Sequence, residues 1–229
     1  MSITPTTLIR SAAAAAVSAG LIFIGVQINH PQLDASSVTT TNVLVRDCLK
    51  VLMCALALVG ITGMYLRQVR QMGVLGLVGY VVLSIGYLFI MATAFVAATV
   101  LPSIADTSTA YVNDATAAAT NGHATGDIGL LEQAIQIQGG AYLLGGLLFG
   151  IALYRANVLA RWAAALLAVG GIISAALSVM PDAFYRLLAF PNGIAMIALG
   201  CSLWLSVRAE ATTQPSAVVP QRASAVGAE

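Results

Sequence analysis

Residues 73–100 read GVLGLVGYVVLSIGYLFIMATAFVAATV and form 28 consecutive residues without a charged side chain. A transmembrane helix needs about 20 predominantly apolar residues to cross the hydrocarbon core of a bilayer. The stretch is therefore long enough to span a membrane, and it is much longer than a typical strand or core helix of a soluble domain. It indicates an integral membrane protein.

The composition of the whole chain supports this interpretation. Of the 229 residues, 59% are hydrophobic and 8% are charged, whereas soluble domains carry about 25% charged residues. A chain of this composition would expose large apolar patches if it folded in water. Its Lys and Arg residues form no run or basic stripe, so we expect no nucleic-acid partner.

Six stretches have the length and hydropathy of a spanning helix. They are residues 8–28, 43–66, 73–100, 134–154, 160–180 and 191–207. The sequence therefore predicts an all-α fold, a polytopic membrane bundle of six transmembrane helices that occupies residues 1–208.

Three polar or mixed segments lie outside these spans. Residues 101–133 are rich in Thr, Ala, Asn, Asp and Gly, and we predict a mobile surface loop with a short helix near 110–120. Residues 182–190 place apolar side chains around Arg186, which predicts a short interfacial helix. Residues 209–229 have no apolar periodicity and are predicted to be a disordered tail.

The charged residues sort by side in a six-span topology. One side carries Arg10, Arg67, Arg70, Arg155, Arg161 and Arg208. The other side carries Asp34, Asp47, Asp106, Asp114, Asp127, Glu132 and Asp182. Because basic residues concentrate on the cytoplasmic side of membrane proteins, we predict that both termini are cytoplasmic and that the protein lies in a plasma membrane, such as a bacterial inner membrane.

Glycines of the fourth span are the predicted helix-packing residues. Lipid provides no hydrophobic drive for helix association, so small residues must let the backbones approach closely. The candidates are Gly139, Gly140, Gly146 and Gly150, of which the last two form a GxxxG motif. Two interpretations remain open: close packing within one bundle, and a homodimer face on this helix.

The candidate ligand-binding residues lie at the acidic ends of the spans. Ionisable groups within a membrane segment are functional candidates by default. The set is Arg46, Asp47, Lys50, Glu132, Gln136, His30 and Asn192. Arg46, Asp47 and Lys50 share one face of the second span, since residues three and four apart are neighbours on a helix. They could bind an anionic or zwitterionic headgroup, or they could be ordinary interfacial charges that reach out to water and pair there.

No cofactor or metal site is predicted from the residue types. Cys48, Cys54 and Cys201 lie in apolar runs without a CxxC pair, so they are interpreted as small core residues. The two histidines, His30 and His123, lie outside the centres of the spans, whereas haem ligation between helices needs buried histidines. We expect no catalytic residue.

Two segments resemble an uncharacterised family of bacterial multispan membrane proteins. They are Leu153–Ile172, which reads LYRANVLARWAAALLAVGGI, and the final span from Pro191 to Trp204-Leu205. The resemblance implies a six-helix bundle in a bacterial plasma membrane. It implies no activity and no functional residue. The chain departs from that family at 194–199, which is apolar where family members carry an acidic residue.

Three functional hypotheses follow from these observations. In the first, the protein binds or transports a small-molecule ligand or membrane lipid at its polar cluster. In the second, it is a non-catalytic accessory subunit whose Gly-rich helices pack against a membrane protein partner or a second copy of the chain. A membrane enzyme is the third, with no residue constellation to carry it.

Overall fold

The structure is a computed structural model that describes residues 4–120, 123–177 and 189–213. These residues form α-helices and one short 3₁₀ helix, Ser37–Thr39, without any strand. The helices are α1 Pro5–Gln27, α2 Thr41–Arg67, α3 Val69–Thr99, α4 Leu101–Ile104, α5 Thr109–Ala119, α6 Leu130–Ala156, α7 Arg161–Leu177 and α8 Ala189–Thr213. The all-α prediction is confirmed for this part of the chain.

Five of these helices are long and apolar enough to cross a membrane: α1, α2, α3, α6 and residues 190–208 of α8. The fifth predicted span corresponds to α7, whose apolar part, Arg161–Ile173, is shorter. The end of that predicted span and most of the predicted helix at 182–190, with Asp182, lie outside the described residues. Residues 209–213 of the predicted tail belong to α8, and the rest of the tail is also outside the described part.

The six long helices form a closed ring in chain order. Each of α1, α2, α3, α6 and α7 packs against the next, and α8 returns to pack along α1 and α7. The core of the bundle contains side chains from all six of these helices, among them the fully buried Ile61, Phe149, Leu167 and Leu203. These side chains form one continuous apolar core that joins the six helices.

Helices α3 and α6 approach each other through glycines. A methyl group added at Gly79 would lie 2.5 Å from the Phe149 nitrogen, and one at Gly86 would lie 2.7 Å from the Tyr142 nitrogen. Gly145 lies in the same way against the backbone of Leu83. As the residue number rises along α3, the number of the contacting residue on α6 falls, so the two helices are antiparallel. We call this line of close backbone contacts, from Gly79 to Gly86 on α3, the glycine seam.

The same device closes the ring between α1 and its two neighbours. Gly60 of α2 lies against Ala16, where an added methyl group would be 2.8 Å from the alanine Cβ. On the other side of α1, Gly200 of α8 lies against Ala13, where an added methyl group would be 2.8 Å from the Ala13 carbonyl oxygen. Alanines of α1 and glycines of α2 and α8 thus permit close packing on two faces of α1.

The predicted packing glycines of α6 divide into two groups. Gly150 packs closely against Ala168 of α7, and Gly146 makes ordinary contact with the Leu167 carbonyl oxygen at 3.7 Å. Gly139 and Gly140 are exposed, and a methyl group added at either would meet nothing within 4 Å. Within this chain, the close contacts come from Gly145 and Gly150, because these glycines face the neighbouring helices.

The predicted mobile loop over 101–133 is largely folded. Its helix α5, Thr109–Ala119, matches the short helix expected near 110–120. It packs with α4 and the 3₁₀ helix around a small second core of Val38, Leu101, Ala105, Val112 and Ala115. We call this unit, residues 34–40, 101–120 and 123–129, the cap, and the end of the bundle beneath it the cap end. The sequence analysis missed it because the apolar residues are few and contributed by separate segments.

Two carboxylates fasten the cap. Asp34 accepts hydrogen bonds from the Ser36 hydroxyl at 2.7 Å and from the Ser37 N–H at 2.7 Å. Asp114 accepts from the N–H and hydroxyl of Thr125, both at 2.9 Å. Hydrogen bonds to the ionised form lower the pKa of both carboxyls. The largest contribution comes from the Ser36 side chain for Asp34 and from the Thr125 backbone N–H for Asp114. Both groups are therefore ionised at neutral pH.

We expect Gly145→Ala to destabilise the bundle, because its methyl group would meet backbone of α3 that cannot move aside locally. Overpacking of this kind costs about 1–3 kcal/mol. Gly140→Ala on the same helix, where the space is open, is the matched control and should be neutral or slightly stabilising, because alanine is the better helix former. Thermal unfolding of both variants in one detergent measures the difference. Equal midpoints would contradict the glycine-seam model.

Candidate functional site

The polar residues of the cap end are held mainly by α2. Arg46, in its second turn, donates from Nη1 to the Val26 carbonyl oxygen at 2.7 Å and from Nη2 to the Asn29 carbonyl oxygen at 3.2 Å. Its Nε donates to Oδ1 of Asn42 at 2.6 Å. Helix α1 ends at Gln27, and the last carbonyls of a helix have no partner within it. Arg46 therefore caps the end of α1, with its charge matched to the helix dipole.

Asp47 and Lys50 form an ion pair inside the bundle. The Lys50 Nζ lies 2.8 Å from Oδ1 of Asp47, one turn away on the same helix. Asp47 is only 2% exposed, whereas the Lys50 side chain is 22% exposed. Lys50 is about 14 Å along α2 from Thr41 at 1.5 Å per residue. The carboxylate is thus held below the surface by a lysine that remains accessible.

Further polar groups lie deeper on the same side of α2. Cys54 follows Lys50 by one turn and is fully buried in the core cluster that also contains Tyr87 of α3. The rings of Tyr87 and Tyr142 meet edge to face with centroids 5.5 Å apart. The Tyr142 hydroxyl is buried beside Tyr87. Cys54, Tyr87 and Tyr142 therefore place a thiol and two phenol groups within the bundle, deeper than the ion pair.

The structure does not gather all seven predicted ligand-binding residues. Glu132 and Gln136 lie on α6, which packs mainly against α3 and α7, and their side chains make no hydrogen bond or ion pair with the described residues. His30 lies in the connection before α2, with Nδ1 2.8 Å from the Pro31 carbonyl oxygen. Asn192 is buried where α8 packs against Gly170 of α7. Of the seven, only Asp47 and Lys50 contact each other among the described residues, whereas the Arg46 guanidinium contacts α1 and Asn42.

Sequence reasoning placed Asp47 and Lys50 on one helix face, with Asp47 or Glu132 as the partner of Lys50, but it missed the groups beneath them. Cys54 could have been placed on that face from its spacing of four residues after Lys50. Tyr87 and Tyr142 could not, because they come from α3 and α6, and their meeting depends on the register set by the glycine seam. The hydrogen bond from the Thr93 hydroxyl to Oε1 of Gln138, at 2.6 Å, belongs to the same seam.

Metal ligation and similarity to known proteins offer no further assignment. Among the described residues, no group of three or more His, Cys, Asp or Glu side chains could hold a metal ion. No family model, curated protein or solved structure matches the chain. The family resemblance noted in the sequence therefore remains an expectation, and the site is interpreted from its own geometry.

We expect Arg46→Gln to lower the stability of the protein by about 1–3 kcal/mol, because hydrogen bonds from a charged donor to the α1 carbonyls are lost. Arg46→Lys should recover only part of this, since one ammonium group cannot reproduce the guanidinium fork that contacts three acceptors. Thermal unfolding in detergent measures both variants. Wild-type stability in Arg46→Gln would show that Arg46 does not cap α1.

Proposed function

We propose that this protein is a six-span membrane protein that binds a small anionic or zwitterionic ligand, such as a lipid headgroup, at Asp47 and Lys50. The observation that carries the proposal is the ion pair between a 2% exposed carboxylate and a partly exposed lysine within an apolar helix. Ionisable groups at membrane depth are rare and are usually functional.

The two charges have different exposure, and this favours ligand binding over a purely structural pair. Lys50 presents an ammonium group with three donors, of which the Asp47 carboxylate takes one. The remaining donors suit a carboxylate or phosphate oxygen. Arg46 does not share this role, because its guanidinium is engaged with α1 and Asn42. Binding rather than passage is proposed, because the residues that follow Lys50 on the buried face of α2, Cys54 and Ala57, belong to the apolar core.

In this proposal α7 also crosses the membrane, which brings the number of spans from five to six. The protein then lies in a plasma membrane with both termini in the cytoplasm. Helix α7 has 17 described residues, about 25 Å at 1.5 Å per residue, close to the hydrocarbon thickness of about 30 Å. Support comes from the charges: Arg67, Arg70, Arg155 and Arg161 fall at the end opposite the cap. We call that end the basic end.

Labelling with a membrane-impermeant maleimide tests this topology. In a variant with Cys48, Cys54 and Cys201 replaced by serine, Ser108→Cys lies in the cap and Gln71→Cys lies at the basic end, both at exposed positions. We expect reagent added to intact bacteria to label the cap position, and the basic-end position to react only after the membrane is opened. The reverse pattern, or labelling of both in intact cells, would contradict the topology.

One observation favours a second candidate, an accessory subunit. Gly139 and Gly140 are exposed near the cap end of α6, and nothing in the chain lies within 4 Å of the position of an added methyl group. Glycine at an exposed helical position leaves the backbone open to close approach by another helix. The partner would be a membrane protein or a second copy of this chain.

Native mass spectrometry of the protein released gently from its own membrane tests the proposed function. Lys50→Ala alone would leave a buried, uncompensated carboxylate, which is strongly destabilising. The informative variant is therefore the double Asp47→Asn/Lys50→Met change, which removes both charges at similar volume. We expect a small-molecule or lipid adduct on the wild type and on Lys50→Arg, and its loss from the double variant.

Two outcomes contradict ligand binding at this pair. An adduct that persists unchanged in the folded double variant would place its site elsewhere. A wild type that carries no adduct and co-purifies with a second protein would support the accessory candidate. Folding of each variant is checked by the size-exclusion profile and the thermal midpoint in the same detergent.

A further inference from the structure

A cavity of about 390 Å³ lies at the basic end, between the start of α3 and the last turns of α6. Two arginines from these separate segments line it, Arg70 and Arg155. The remaining lining residues are Gln71, Met72, Gly73, Val74, Leu75 and Ala152. No acidic residue is among them, so the cavity carries positive charge without an internal counter-charge.

The two cavity arginines differ from others at the same end. Arg67 donates from Nε to the Ser206 hydroxyl at 3.3 Å. The Arg161 guanidinium stacks over the Tyr154 ring, 4.2 Å from its centroid. Arg70 and Arg155 are exposed and make no hydrogen bond, ion pair or ring contact with the residues that the structure describes.

The backbone beside these arginines adds donors. Gly73 leaves the helical conformation, with φ 57° and ψ −155°, a region that favours glycine. Regular helix resumes at Val74, so Val74 and Leu75 line the cavity from the first turn of a long helix. The amide groups of a first helical turn carry partial positive charge and bind anions. This turn therefore reinforces the field of the two guanidinium groups.

We propose that the cavity between Arg70 and Arg155 binds a phosphate group, supplied by the headgroup of an anionic lipid. Guanidinium groups match phosphate oxygens through paired, charge-assisted hydrogen bonds. Val74, 78% exposed and beside the cavity, extends the apolar outer surface of α3 up to the arginines. A phosphate attached to acyl chains fits that junction, since its chains would lie along α3. The inference is independent of the Asp47–Lys50 site at the opposite end.

The test uses the full chain, purified in detergent and stripped of lipid, with lipid added back during native mass spectrometry. Phosphatidylglycerol is the anionic probe, phosphatidylcholine the zwitterionic comparison, and inorganic phosphate the free-phosphate probe. We expect phosphatidylglycerol to bind more tightly than phosphatidylcholine. Arg70→Gln and Arg155→Gln should each weaken its binding about tenfold, the effect of losing charge-assisted hydrogen bonds. Arg161→Gln removes the same charge outside the cavity and should leave binding unchanged.

A second variant removes the space without changing the charge. Val74→Trp replaces a largely exposed side chain, so the fold should persist while the larger ring obstructs the cavity. We expect it to weaken phosphatidylglycerol binding as the arginine variants do. This measurement decides the question even where an arginine variant fails to fold.

The outcomes separate the sources of the phosphate group. Displacement of phosphatidylglycerol by inorganic phosphate at similar concentration would keep the phosphate site but assign it to a free phosphate compound. Equal losses in Arg161→Gln and the cavity variants would show a non-specific charge effect and overturn the proposal. Unchanged binding in the folded Arg70→Gln, Arg155→Gln and Val74→Trp variants would overturn it as well.

Discussion

Close backbone approach at glycine is the constraint on which the rest of this bundle depends. At Gly79, Gly86 and Gly145 the backbones of α3 and α6 leave no room for a side chain, and this fixes both the separation and the register of the two helices. In lipid, where apolar side chains gain little by meeting one another, such contacts are a principal source of helix association. The meeting of Tyr87 with Tyr142 and of Thr93 with Gln138 follows from that register.

Charge at the two ends of the bundle is used differently because its surroundings differ. At the cap end, Arg46 completes the hydrogen bonding of another helix, and Asp47 is buried against Lys50. An unpaired charge in either place would carry a large desolvation penalty. At the basic end, Arg70 and Arg155 are exposed around a cavity, and their guanidinium groups make no hydrogen bond or ion pair with the described residues. The first arrangement occupies the Arg46 guanidinium and one donor of Lys50, whereas the second leaves the donors of both arginines available.

The sequence predicts the helices well because hydropathy depends on local composition alone. The apolar runs correspond to α1, α2, α3, α6, α7 and α8, and the helix near 110–120 was located as well. The cap as a folded unit was missed, since its core joins Val38 to residues more than sixty positions later. The predicted third span begins at residue 73, beside the point where regular helix resumes, whereas the helical segment from Val69 that precedes the break at Gly73 was not predicted.

Side-chain roles were harder to predict than helices because they depend on helix rotation. Composition marks Gly139, Gly140, Gly146 and Gly150 as equivalent, yet two of them face open space and Gly150 faces α7. Likewise, Arg46 and Lys50 are neighbours on α2, and residues four apart on a helix differ in direction by about 40°. The Arg46 guanidinium contacts α1, whereas the Lys50 ammonium lies beside Asp47. Function in this bundle therefore depends on which small residues set the helix phases, since these phases determine which charges are bound internally and which remain available to a ligand.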